Sequence, residues 1–383
     1  MTVESRIEQV LDLLNPDETT VREGKERLRC VERNVETDYL PLILSGVPVP
    51  ERKEYCQTDK QYCQYNREEQ FYDERKMLFE QLFGLIGTAR GRSDAQLSVE
   101  PRMGVGFLPS CLGLKQEIFP NEDPWLRETL TKRQIERVQP EDLENIRVKG
   151  LVPTAVKYIR YFRTKLEEKA SVYVSFTWGP FSLAHLIRGD KIFIDLYRDP
   201  DFVHYLMRIT TRLYIKATAI LKESAGEPKH QGYHGSYYMD NSGVWSNEDT
   251  IVLLSPTLAE EFVFPYLREA YKPFGGAVIH LCGGTDHLLE PLLDIPEIKG
   301  INLGEPGKQE QSYKQIMKTV LDKGKTYFGG WPKCQKEDTE TYFKRILEPL
   351  KGEKRGLVLN YNPNKKETKK PQKVMELWHS LQK

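Results

Sequence analysis

No apolar run in this chain approaches the roughly 20 residues that a membrane-spanning helix requires. No CxxC pair occurs, which excludes the common zinc-finger and zinc-ribbon spacings. The six cysteines (Cys30, Cys56, Cys63, Cys111, Cys282 and Cys334) are too sparse and irregular for a disulfide framework, so thiols in a reducing compartment are expected. Neither sign of charge is in excess: 56 basic and 56 acidic side chains cancel, leaving no electrostatic reason to capture nucleic acid or an anionic membrane. The opening MTVESRIEQVLDLLNPDE is acidic and amphipathic, without the basic segment and continuous apolar stretch of an export signal. A cytoplasmic protein is expected, with a small molecule or another protein as its partner.

What the chain does contain is a recurrence of short apolar runs, most of them followed by helical patterns. Eight candidate strands lie at 41–46, 104–109, 172–176, 235–239, 277–282, 300–304, 326–330 and 356–360. Helical signals between them are clearest in the second half. Asp199-Pro200 opens a segment in which Phe202, Leu206, Ile209, Leu213, Ala217 and Ile220 recur every three or four residues before Gly226. Ser255-Pro256 opens another, which Pro265 should shorten or kink. Buried strands alternating with helices imply parallel pairing through crossovers, and eight such units predict an α/β fold, a (βα)8 TIM barrel. We expect a single domain over residues 1–383, with residues 1–100 as an N-terminal helical elaboration.

In such a barrel the working face is the rim at the strands' C-terminal ends. The predicted rim carries Pro109-Ser110-Cys111, Trp178, Asp240-Asn241-Ser242, His280-Leu281-Cys282, Glu305, Trp331 to Cys334, and Asn360. His280 and Cys282 are two apart, so on a continuing strand both side chains lie on one side. Imidazole with thiolate suits zinc; a buried histidine beside a packed thiol is the plainer alternative. Trp178 and Trp331 either wall a substrate pocket or plug the barrel. Asp286 either orients a ligand histidine or caps a helix, His287 fits a first helical turn, and Tyr233-His234 belongs to the opposite, stabilising end.

GPFSLAHLIRGDKIFIDLYRDPDFVHYLM (179–207), LLSPTLAEEFVFPYLREAY (253–271) and VIHLCGG (278–284) resemble successive segments of the uroporphyrinogen decarboxylase superfamily. The resemblance covers residues 170–360 most clearly and implies the same (βα)8 barrel. The decarboxylases carry an arginine-rich RQAGRY motif near the N-terminus; RLRCVERNVETDYLPL (27–42) stands in the comparable region here. The other branch, zinc-dependent methyltransferases that work with corrinoid proteins, has an HxC signature and a distant cysteine. His280 and Cys282 match the first two ligands. The late cysteine belongs near the last strand, where this chain reads LVLNYNPN; Cys334 lies one strand earlier, and Glu305 or Asp240 is an alternative third ligand.

The resemblance thus implies zinc-assisted methyl transfer between a small-molecule or thiol substrate and cobalamin carried by a partner protein, since no DxHxxG motif occurs in this chain. It also implies a homodimer. The expected site residues are Asp240 and Glu305 for catalysis, Trp178, Asn241, Trp331 and Asn360 for substrate binding, and His280, Cys282 and Cys334 for metal. The competing readings are a metal-free decarboxylase or lyase acting on an acidic substrate through Asp240, and a non-catalytic binding subunit.

Overall fold

The computed structural model describes residues 2–56, 64–174, 177–363 and 370–383. Its strands are β1 (Leu42–Leu44), β2 (Ser98–Val99), β3 (Ser171–Val172), β4 (Thr177–Trp178), β5 (Gly232–His234), β6 (Tyr237–Met239), β7 (Val244–Asn247), β8 (Ala277–Leu281), β9 (Ile298–Leu303), β10 (Thr326–Gly329) and β11 (Leu357–Tyr361). A parallel sheet runs β1-β11-β10-β9-β8-β7-β4, and β2 pairs in parallel with β3. The gap between β1 and β2 is closed by Asp94, whose backbone N–H donates to Leu42 O and whose carboxylate accepts the Leu42 N–H at 2.8 Å. Because β3 pairs with β2 and β4 with β7, those two short segments share one position in the ring, and the fold is a (βα)8 barrel.

Strand composition explains the burial. Val278, Ile279 and Leu281 in β8, and Leu357, Val358 and Leu359 in β11, are at most 1% exposed. Each such aliphatic residue contributes about 1.5–3 kcal/mol on leaving water. Helices cover the outer face. The helix Pro200–Ala225 begins where the Asp199 side chain accepts the Phe202 N–H and ends at left-handed Gly226. Phe202, Leu206, Ile209, Leu213 and Ala217 are buried in it, as the spacing predicts, while Ile220 is only partly so. Pro265 does break its helix: one segment stops at Phe262 and a second, Phe264–Tyr271, starts with that proline in its first turn. No helix among the described residues is long and apolar enough to cross a membrane.

Six of the eight predicted strands fall on barrel strands, and two do not. Residues 104–109 form turns that lead into a 3-10 segment, Pro109–Leu112, and the barrel strand lies earlier, at β2. Residues 235–239 fall in an antiparallel hairpin made by β5 and β6, and the barrel strand is the following VWSN of β7. The aromatic GSYYM has the stronger strand propensity, but its residues close the base of the barrel. Gln96 N–H donates to Ser236 O, Tyr237 stacks on Trp245 at 5.3 Å, and His234 stacks on Trp245 at 4.4 Å. Charge-rich residues 51–100, expected to be elaboration, include the helix Glu74–Gly91 that links β1 to β2 and buries Met77, Phe79, Leu82 and Ile86. Cys56 is disulfide-bonded, against the expectation of thiols throughout; sparse spacing does not prevent a bridge wherever two backbones approach within about 6 Å. Cys30, Cys111, Cys282 and Cys334 are free.

Candidate metal centre

Strand alternation decides which side chains enter the barrel. Trp245 in β7 and Phe328 in β10 are separated by two strands, yet their rings lie 5.9 Å apart, so both point inward. Ser246 points outward, where it accepts a hydrogen bond from Tyr271 O–H at 2.9 Å. Asn247 is therefore inward, and its register neighbour His280 and that residue's neighbour Asn302 share its layer. Three adjacent strands thus present Asn247, His280 and Asn302 side by side above the aromatic floor.

Cys282 follows β8 directly, and Asp249 follows β7 by two residues. The three donors converge. Cys282 Sγ is 3.3 Å from His280 Nε2, and Asp249 Oδ1 is 3.8 Å from the same nitrogen. Asp249 also accepts the Cys282 backbone N–H at 2.6 Å. All three ligand atoms lie within 4.8 Å of one another. Tetrahedral zinc, with bonds near 2.0–2.3 Å, spaces neighbouring ligands about 3.3–3.6 Å apart, so little movement is needed for this set to fit the ion.

Asn302 determines which nitrogen of His280 is available. Its Nδ2 donates to Phe328 O, a carbonyl that can only accept, and this turns Oδ1 toward His280 Nδ1. The imidazole therefore carries its proton on Nδ1 and leaves the Nε2 lone pair facing Cys282 and Asp249. Gly304 keeps the opening clear: a Cβ there would meet Cys282 Sγ at 2.4 Å and His280 Nε2 at 3.1 Å. Electrostatics also favour a cation. Burial first, then the Asp249 carboxylate and Glu305, push the Cys282 thiol up to about 11. A divalent ion among these groups would reverse that effect, since a coordinating thiol is deprotonated outright. Below them burial and the nearby His280 hold His234 down to about 3, and it stays neutral.

The neighbouring Glu248 has a different task. Its carboxylate accepts the backbone N–H groups of Phe181 and Ser182, at 3.2 and 2.8 Å, in the first turn of the helix Pro180–Arg188. Burial raises its pKa to about 7. Two successive acids at the end of β7 thus face a helix terminus and the donor cluster respectively.

The other predicted residues are dispersed. Asp240 and Asn241 precede β7 and lie at the barrel's N-terminal end, because the hairpin absorbed the strand expected before them. Asp240 is held there by Arg33 at 2.5 Å, Arg29 at 3.4 Å, Tyr238 O–H at 2.9 Å and Gln231 at 2.9 Å. Burial opposes its charge, but Tyr238 and the two arginines outweigh burial and keep the carboxyl below its ordinary value. Asn241 is exposed, and its N–H donates to buried Glu32 at 2.7 Å. Cys334 is an exposed loop thiol whose backbone N–H donates to Glu337, and among the described residues it is not part of the donor cluster. It follows β10, one strand before β11, where the resemblance places the late cysteine. Glu305 is exposed and ion-paired with Lys308 at 2.8 Å, near enough to Cys282 to affect its acidity but outside the cluster.

Trp178 is in register with Asn247 and shares its inward face. Asn360 is inside as well, accepting from Ser45 Oγ at 3.1 Å and donating to Tyr237 OH at 3.2 Å. Trp331 packs instead on Tyr313 and Tyr327, toward the helical layer. Asp286 accepts the N–H groups of Glu310 and Gln311, tying the loop after β9 to the helix Asp286–Leu293. Asn247, Asp249, Asn302 and Gly304 were not singled out in the sequence. The available signal was NED following a short alternating VWS, visible only once 235–239 is removed from the strand count.

Residues 104–361 match the family model for uroporphyrinogen decarboxylase (URO-D). No curated protein matches the chain. Among solved structures, a methyltransferase from Methanosarcina mazei has a similar fold, with a TM-score of 0.64 at 15% sequence identity, over 94% of this chain and 98% of that one.

Proposed function

Because the chain belongs to the uroporphyrinogen decarboxylase family, we propose that it is an enzyme of methyl transfer centred on a zinc ion held by Asp249, His280 and Cys282. The observation that carries this reading is the convergence of those three donors, with the His280 Nε2 lone pair directed into the cluster by Asn302. Bound zinc supplies a Lewis acid that keeps a thiol or hydroxyl deprotonated near neutral pH. Cys282 as the thiolate, His280 through its neutral nitrogen and Asp249 through an oxygen would hold the ion, and Asp249 would keep the Cys282 N–H. Three protein ligands leave a position open for substrate. The methyl carrier in this proposal is cobalamin on a partner corrinoid protein, which docks at the rim.

A metal-free decarboxylase is the competing reading within the same family; it would have to work without Asp240, since that carboxylate is committed to Arg29 and Arg33 at the far end of the barrel. Metal analysis of purified protein tests the proposal. We expect one zinc per chain, lost in Asp249→Ala, His280→Ala and Cys282→Ser and kept in Cys334→Ser. Absence of zinc after reconstitution, or its persistence in the first three variants, would sink the proposal.

A further inference from the structure

Asp249 is the member of the donor cluster that neither lies on β8 nor follows it, so its direction depends on what holds the 3-10 turn Asp249–Leu253. β4 pairs with β7, Trp178 against Asn247, and the helix Pro180–Arg188 therefore begins alongside the residues that follow Asn247. Gly179 lets that helix come close, since a Cβ there would run into the Glu248 carboxylate. Ser182, 1% exposed, then grips the chain on both sides of Asp249. Its N–H donates to Glu248 Oε2 at 2.8 Å, its hydroxyl bonds the same carboxylate, and its Oγ accepts the Thr250 N–H at 3.3 Å. One turn along the helix, His185 Nδ1 lies 3.2 Å from Thr250 Oγ1. A hydroxyl buried this deeply is tolerated only when bonded, and alanine would serve packing alone; the bonds here go to the two sequence neighbours of Asp249.

We infer that Ser182 is a positioning residue for the donor cluster: by fixing Glu248 and Thr250 it aims the Asp249 carboxylate at His280 and Cys282. With both flanking residues held, Asp249 is left mainly its own side-chain torsions, and its Oδ1 accepts the Cys282 N–H at 2.6 Å while lying 3.8 Å from His280 Nε2. Ser182 itself is outside the cluster and acts through Asp249 alone. The inference rests on the methyl-transfer reading only for the ion; the seat of Asp249 is a property of the metal-free protein.

Two measurements on the full chain provide the test: residue-resolved hydrogen exchange of the Cys282 amide in metal-free protein, and zinc affinity by chelator competition. We expect Ser182→Ala to speed exchange at Cys282 about tenfold or more while the Ile279 amide, inside β8, keeps its rate. A role confined to packing would speed both together. Zinc affinity should fall by about 10–100-fold. In an Asp249→Ala background Ser182→Ala should add nothing to either readout, because Ser182 acts through that carboxylate. Ser182→Gly also removes the hydroxyl and gives the same readings if the alanine variant misfolds. An unchanged Cys282 amide in both serine variants would overturn the inference, and so would an undiminished effect of Ser182→Ala in the Asp249→Ala background. A Cys282 amide that responds to Ser182 in a protein that binds no zinc would sustain the inference and remove the zinc centre. Zinc held with wild-type affinity by both serine variants, with the amide unmoved, would do the reverse.

Discussion

Asn302 is the side chain through which the local chemistry of the cluster is most directly tested. It touches no other member of the donor set, yet its amide is clamped between Phe328 O and His280 Nδ1. Groups in that position typically alter metal affinity by about 10–100-fold. Asn302→Leu should weaken zinc binding by that factor in a chelator competition with the fold intact. Unchanged affinity in the leucine variant would mean that Asn302 does not select the tautomer. At this scale the sequence was half legible. HLC marked two candidate donors through strand periodicity, but the third candidate, Asp249, follows a neighbouring strand, and proximity between strands is a property of register that local spacing does not contain. The late cysteine expected by resemblance directed attention to Cys334, although an acid two residues past β7 lies closer in space.

Among the elements, the hairpin of β5 and β6 explains most of the difference between expectation and structure. Helix caps and proline positions were readable because they act within one turn, and the strands of the second half were readable as continuous apolar runs. β7 was not: VWSN carries a serine bonded to Tyr271 and an inward asparagine, both polar for reasons outside the strand. The hairpin displaced Asp240 to the base, where it joins the helix Glu18–Glu32 to the strands through Arg29 and Arg33. Asp240→Ala should therefore lower stability by about 2 kcal/mol, since a buried charge-assisted acceptor is removed while its Arg33 partner keeps some contact with water. Denaturant unfolding should record the loss, and zinc content should remain that of the wild type. A parallel loss of zinc would contradict the assignment of Asp240 to the structural end.

For the molecule as a whole, two buried acids set an opposite pH dependence from that of the ion-paired ones. Burial raises both Glu32 and Glu248 from 4.5 to about 7. The folded state therefore binds these protons more tightly than the unfolded chain, so the associated stability is complete below about pH 4.5 and is lost as pH rises through 7. Each shift corresponds to about 3 kcal/mol. Carboxylates held low by arginine, such as Asp38, pushed down to about 2, act in the other direction and lose their contribution in acid. Stability should peak near pH 5, and Glu248→Gln should flatten the decline between pH 5 and 8 when urea midpoints are compared across that range. A decline as steep as that of the wild type would show that Glu248 does not titrate there.

The stacked rings of His234, Trp245 and Tyr237 make the barrel a vessel with a sealed base. A channel open at both ends would let two reactants arrive from opposite sides and meet; a vessel allows only one doorway. Whatever enters must leave by the way it came, so the traffic is last in, first out. If the proposed carrier protein docks at the rim, it would trap the small molecule already inside, so the proposed reaction would require the small molecule to arrive first.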